Sequence, residues 1–221
     1  MPRQAGRARH MACMTPDMAK VIIDMTMSLD GYVAGPGDGP EFPLGKHGGR
    51  AIFDWYFSGN EEYRTPLFKP EPGPNLAEVK RMFEESGAFV FVRRTYEIAR
   101  GWGGSHPVNG VPVFVLTHHS PPPASVPRGP SNIEFITDGI ASAIRRAKAA
   151  AGEKYVKLGG ASPGKQALRE GLVDEILVHL APYLLGGGVR LFDDLVDGVR
   201  LEKLGVTDGP LATHLRYRVL R

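Results

Sequence analysis

Short apolar runs of strand length recur along this chain with helical patterns between them, and that alternation limits the fold more than any other feature. The runs occupy residues 21–27, 88–92, 111–117, 133–136, 155–158, 175–181 and 211–220, and most are rich in Val, Ile and Phe. Three helices are predicted between them. Asn75 is placed to cap residues 76–85, with Gly87 as the stop. Asp138 is placed to cap a helix running to Ala151, which Gly152 ends. Ser162, directly before Pro163, opens a third helix that Gly171 ends. Strands with buried, β-branched faces that alternate with helices predict an α/β fold with a mixed, mainly parallel sheet flanked by helices. The last run alternates in polarity and is expected to close the sheet antiparallel to its neighbour.

The chain has 221 residues, enough for one large domain, and no linker is long enough to force two. Hydrophobic residues make up 42% and charged residues 23%, which excludes a wholly disordered chain or a coiled coil. No apolar run approaches the roughly 20 residues that cross a bilayer, so no membrane partner is expected. The net charge is +3, and Arg3, Arg7 and Arg9 account for all of it. The excess therefore belongs to a tail and not to a basic patch, which argues against nucleic acid as a partner. That tail has no apolar segment of a secretory signal. Residues 1–18 are expected to be disordered, with residues 19–221 forming the domain. Cys13 is the single cysteine, so internal disulfides and four-cysteine zinc sites are excluded, and a reducing, cytoplasmic setting is expected.

The segment 41–74 has no clean period and is rich in Phe, Trp, Tyr, Gly and Pro. Loops of that length inside a domain are usually functional or mobile. Trp55, Tyr56 and Phe57 would be costly to expose together, so some of them are expected to cover a pocket or a partner surface. The strongest local motif runs from Lys157 to Lys165. There a strand enters Gly159-Gly160, and Ala161 and Ser162 lead into a helix. Glycines allow close backbone approach and helix N-termini attract anions, so Gly159, Gly160, Ala161 and Ser162 are candidates to cradle a phosphate or pyrophosphate. A plain strand-to-helix turn explains the segment equally well. The same residues nearly satisfy a nucleotide-triphosphate P-loop, but Gln166 stands where Ser or Thr should hold magnesium.

In the first strand Asp24, Thr26 and Ser28 alternate with Ile23, Met25 and Met27, so its two faces differ. Asp30-Gly31 follows, and turn chemistry alone would explain Asp30. Arg93, Arg94 and Thr95 end one strand and can clamp phosphate oxygens; a solvated helix start is the plainer reading. Thr117 and His118 end another. No HxH or HExxH spacing occurs, so no metal site is expected, and His47, His106, His179 and His214 are isolated in sequence. The bend Gly186-Gly187-Gly188 suits a close approach of two backbones or of two subunits.

Together these segments resemble the dihydrofolate-reductase-like superfamily, in the branch of the riboflavin-biosynthesis reductase domain and its stand-alone relatives. The carriers are Met27 through Ala34, Arg93 through Glu97 with Gly101-Trp102, Val113 through Thr117, Leu158-Gly159-Gly160, and Pro182 through Gly188 with Leu191-Phe192. The resemblance implies an NADPH-dependent reductase of a small heterocyclic or carbonyl substrate, acting as a homodimer. It implies that Arg93, Arg94, Thr95, Thr117 and His118 hold the adenosine side of NADPH and the Gly-Gly turn its pyrophosphate. On this reading Ser28 and Asp30 bind the substrate's polar edge, Asp30 is the catalytic proton source, and Trp55 and Tyr56 cap the pocket. Val92 stands where relatives carry glycine. The helix carboxylate of folate reductases has only Asp54 and Glu61 in its region. Both departures suit a rival reading as a non-catalytic nucleotide-binding relative. A P-loop phosphotransferase is the third.

Overall fold

The computed structural model describes residues 19–195 and 198–221; the expected tail, 1–18, lies outside them. Eight strands form one sheet. In chain order they are β1 (Val21–Ser28), β3 (Ser86–Val92), β4 (Val113–Leu116), β5 (Ile133–Ile136), β6 (Tyr155–Leu158), β7 (Glu175–Ala181), β9 (Leu201–Gly209) and β10 (Ala212–Val219). Their spatial order is β5-β4-β3-β6-β1-β7-β10-β9. Every pair from β5 to β7 is parallel, and β10 is antiparallel to both β7 and β9. Two short strands, β2 (Tyr32–Ala34) and β8 (Val189–Arg190), pair antiparallel beside it. The helices are α1 (Pro74–Glu85), α2 (Arg93–Ile98), α3 (Ile140–Ala151) and α4 (Ala161–Arg169). The mainly parallel α/β architecture and its antiparallel end are as the alternation implied. Among the described residues no helix is long and apolar enough to cross a membrane.

The sheet buries both faces, which is why its inner strands read as continuous apolar runs. On one face α3 and α4 pack over Val21, Ile23, Val90, Phe114 and Leu158. The buried stripe of α3 is Ile140, Ala143, Ile144, Ala147 and Ala151, the spacing of one helical face. Truncating Ile144 to Ala at such a site costs about 2–5 kcal/mol. The other face is aromatic: Trp55, Phe68, Phe83, Phe89 and Phe91 cluster there with α1 and the 3-10 turn Ala51–Tyr56.

Several local expectations are corrected. The helix caps are Gly73, Gly139 and Gly160, at φ of 112°, 95° and 97°, and not Asn75, Asp138 and Ser162. Gly87 does not stop α1. It lies inside β3, where a Cβ would meet Ala151 of α3 at 2.7 Å, so the glycine lets helix and sheet approach. The C-terminal run is the inner strand of a hairpin. Its outer strand β9 is exposed almost throughout, so its sequence lacks the alternation that marks a half-buried strand.

Candidate active site

The carboxyl ends of β3, β6 and β1, three neighbouring parallel strands, open onto a cavity of about 630 Å³. Crevices there collect ligands in α/β folds, because loops and helix N-termini converge at that edge. The cavity has two chemically different halves.

One half is polar and suited to an anion. Gly159, Gly160, Ala161 and Ser162 line it where β6 turns into α4. The first N–H groups of a helix lack intrahelical acceptors and carry partial positive charge. Gly159 is required by packing, since a Cβ would lie 1.9 Å from the Phe91 ring. Gly160 is different. Its φ is +97°, and the nearest atom to an added Cβ is Thr95 Oγ1 at 3.4 Å, so there is room beside its Cα for an incoming group, which would compete with Met25 Sδ (3.1 Å) for the Gly160 N–H. Arg94 lines the same half and meets Asp38 through Nε (3.1 Å) and Nη2 (3.0 Å). Hydrogen bonding to Asp38 and its charge push the Arg94 pKa up further, so the guanidinium is permanently charged. A phosphate entering this half would compete with Asp38 for that fork.

The other half is apolar and flat-walled. Phe89 and Phe91 lie with ring planes 1° apart, His106 sits 4.2 Å from the Phe89 centroid, and Trp102 lies 4.8 Å from that of Phe91. Burial pushes His106 down to about 4, only partly offset by its hydrogen bonding to the Val108 backbone, so at neutral pH it is an uncharged ring among rings. Tyr56 forms part of the wall, and burial holds its phenol well above the ordinary value, reinforced by the Asp24 charge.

Asp24 also lines the cavity. Its Oδ2 accepts from Lys157 Nζ at 2.5 Å and its Oδ1 is 2.9 Å from His179 Nε2. Burial alone would raise this carboxyl, but Lys157 and His179 outweigh it and hold the group well below the usual carboxylate range. The cavity therefore brings together an ionised acceptor, a flat aromatic wall and, against that wall at Gly159, the helix start with its Arg94–Asp38 pair.

Comparison with known proteins gives the family and the fold. The RibD C-terminal domain pattern matches residues 19–214. The chain belongs to the RibD C-terminal domain family. A putative riboflavin biosynthesis protein from Shewanella sp. PV-4 superposes with a TM-score of 0.65 at 23% identity, covering 92% of this chain and 100% of that one. A pyrimidine reductase-like protein from Corynebacterium diphtheriae gives 0.56 at 14% identity, with 92% of each chain covered. For RibD of Acinetobacter baumannii the values are 0.54 and 16%, over 93% of this chain and 59% of that one. At such identities the likeness is one of fold. The uncharacterized protein YwjB of Bacillus subtilis (strain 168) is 28% identical over 86 residues, which span 39% of this chain and 49% of that protein.

Within this RibD-type fold the expected site residues divide. Arg94, Thr95, Gly159, Gly160, Ala161, Ser162 and Tyr56 all line the cavity. Arg93, Thr117 and His118 do not. Arg93 is tied to Glu97 at 2.6 Å and to the His119 carbonyl at 3.0 Å, and Thr117 Oγ1 also bonds within that turn. Trp55 is a correction. It is 1% exposed, donates Nε1–H to Thr26 Oγ1 at 3.1 Å, and packs beneath Tyr56 against His179 instead of capping the pocket.

Ser28 and Asp30 are a second correction: neither lines the cavity. Asp30 accepts from Ser28 Oγ (2.6 Å) and from the backbone N–H groups of Leu185 (3.0 Å) and Gly186 (2.7 Å), which hold it down to about 2. It is a staple between two loops, closer to the turn reading than to the catalytic one. The P-loop reading also falls. α4 starts at Ala161, a full turn before Lys165, and the Lys165 ammonium is paired with Asp193. Sequence reasoning missed Asp24, His106 and His179. Asp24 was visible as a polar residue on the split-faced first strand, whereas the two histidines gain their partners only through folding.

Proposed function

We propose that this chain is an NADPH-dependent reductase that acts on a small, flat heterocycle or a carbonyl compound. The observation that carries the reading is the junction of an anion cradle (Gly160, Ala161, Ser162 and Arg94) with a flat aromatic chamber in one cavity at the strand carboxyl ends. The residues present fit such a cofactor. The room beside Gly160 and the α4 N-terminus suit a pyrophosphate, and Arg94 suits a further phosphate once Asp38 yields it. NADPH would supply the hydride.

The chain's own part is to orient and to exclude water. The rings of Phe89, Phe91 and Trp102 favour a planar group, and Tyr56 helps close the chamber. Ionised Asp24 accepts a hydrogen bond from an N–H or O–H edge of the substrate. Arg93, Thr117 and His118 stand outside this role. The reading is tested by following NADPH oxidation at 340 nm against a panel of aminopyrimidines, pterins and ketones. Turnover of one class supports it, and tight NADPH binding without turnover of any would favour the non-catalytic reading, to which Val92 on the cavity wall lends weight.

A second copy of the chain is the proposed partner. Leu29, Tyr183, Leu184, Val206 and Leu211 are each at least 40% exposed, and β9 presents an open sheet edge. A two-fold homodimer would cover them.

A further inference from the structure

Behind Asp24 runs a buried chain of side chains, of which only His179 touches the site as described. His179 on β7 and His214 on β10 are register partners, and their Nδ1 atoms are 2.7 Å apart. His214 Nε2 lies 3.1 Å from Asn75 Oδ1, and Asn75 Nδ2 donates to the Pro210 carbonyl at 2.7 Å. His179 and His214 are 3% and 2% exposed. His214 borders a separate cleft of about 380 Å³ between α1 and β9. The chain thus runs from the cavity, across the sheet, to a second opening.

Acceptors at both ends constrain where the protons lie along it. A carbonyl only accepts, so Pro210 fixes the Asn75 amide with Nδ2 outward and Oδ1, another acceptor, toward His214. Asp24 is ionised and also only accepts. The two imidazoles therefore sit between acceptors at both ends. Three hydrogen bonds join Asp24, His179, His214 and Asn75, and each needs one proton. Two neutral imidazoles carry two, so the pair holds a third. Asp24, an anion, touches His179, whereas the other partner of His214 is only the neutral Asn75 amide, so the extra proton is drawn to His179. His179 then donates Nε2–H to Asp24 and Nδ1–H to His214.

We propose that the His179–His214 pair is a proton store for Asp24, holding one extra proton one hydrogen bond away from the cavity. The store stands on this geometry alone, whereas its use in catalysis rests on the reductase reading. Hydride addition to a C=N or C=O carbon leaves an electron pair on nitrogen or oxygen that needs one proton. His179 gives its Nε2 proton to Asp24 Oδ1, Asp24 passes it to that atom, and neutral His179 is recharged from solvent. The groups around the pair are Asp24 from β1, in contact with His179, and Glu78 and Arg81 from α1 and Arg216 from β10, which border the cleft beside His214; Lys157 from β6 and Tyr56 from the 3-10 turn act on Asp24. Asp24 is the anion in direct contact with it, and it favours the charged form.

The test is a long-range 1H–15N spectrum of the full chain with 15N-labelled histidine at pH 8, where ordinary exposed histidines are neutral. One imidazole with both nitrogens protonated is expected. His214→Asn keeps an acceptor for His179 Nδ1–H and should retain that signal, and His214→Leu should lose it. A wild-type spectrum in which His179 and His214 each carry a single proton overturns the store. For delivery, kcat of any panel compound that wild type reduces is measured from pH 6 to 9. His214→Leu should lose turnover at least about tenfold at the alkaline end with KM unchanged, and His214→Asn should restore it. A profile that His214→Leu leaves unaltered overturns delivery. Failure of wild type to bind NADPH would sink the reductase reading alone, because the spectrum is recorded without cofactor.

Discussion

Acidification should weaken the fold through His106, and the size of the effect follows from its surroundings. The imidazole is 6% exposed, tilted against Phe89 and near Trp102, and accepts the Val108 N–H at 3.3 Å through Nδ1. Burial depresses its folded-state pKa from 6.5 to about 4. The sign is set by which state binds the proton. Below pH 6.5 the unfolded chain protonates this residue while the folded chain does not, so stability is lost as pH falls toward 4 and the loss then levels off. Between pH 7 and pH 5 the linkage integral for this one group is about 2 kcal/mol, and its limit at lower pH is about 3 kcal/mol. His106→Phe keeps a flat ring against Phe89 and Phe91 but cannot titrate. At pH 7 it should lose about 1 kcal/mol, since the buried Val108 N–H loses its acceptor. Its urea midpoint should then change less than that of wild type between pH 7 and pH 5, by the equivalent of about 2 kcal/mol. Identical pH dependence in the two proteins would refute a neutral, buried His106, and with it the uncharged wall of the chamber.

Three further outcomes follow from the same geometry. Gly160→Val places a side chain in the open cradle and at a positive φ, so NADPH affinity should fall at least about tenfold, roughly 1.4 kcal/mol, in a fluorescence titration of folded protein. Unchanged affinity would misplace the cradle. Asp30→Asn should lower the melting temperature by loosening the 184–188 loop, while NADPH affinity and turnover stay within about twofold of wild type. A large turnover loss without a stability loss would restore its catalytic assignment. Light scattering at micromolar concentration should return twice the 24.0 kDa chain mass, and a monomer would contradict the pairing of the exposed face.

The fold was legible because buried parallel strands have an unmistakable pattern: all seven expected runs coincide with strands of the sheet, although several boundaries differ. β9 escaped because an exposed edge strand needs no apolar face, and its Leu201, Glu202 and Lys203 could equally lie in a loop. The cradle could be read because glycines and a helix start stand consecutively at 159–162. Its logic was only half visible, since Gly159 answers to Phe91, which is distant in sequence. Trp55 and Tyr56 are adjacent and read alike, yet the 3-10 turn sends one into the core and the other to the cavity. The relay was hidden for a different reason. His179 and His214 look isolated until the antiparallel register of β7 and β10 makes them neighbours.

Cofactor binding tests the central claim most directly. Tryptophan fluorescence is titrated with NADPH and NADH, in wild type and in Arg94→Ala. The account predicts that wild type binds NADPH at least about tenfold more tightly than NADH, the worth of one charge-assisted phosphate contact, and that Arg94→Ala erases the difference. Equal dissociation constants in wild type, or binding of neither dinucleotide, would contradict it.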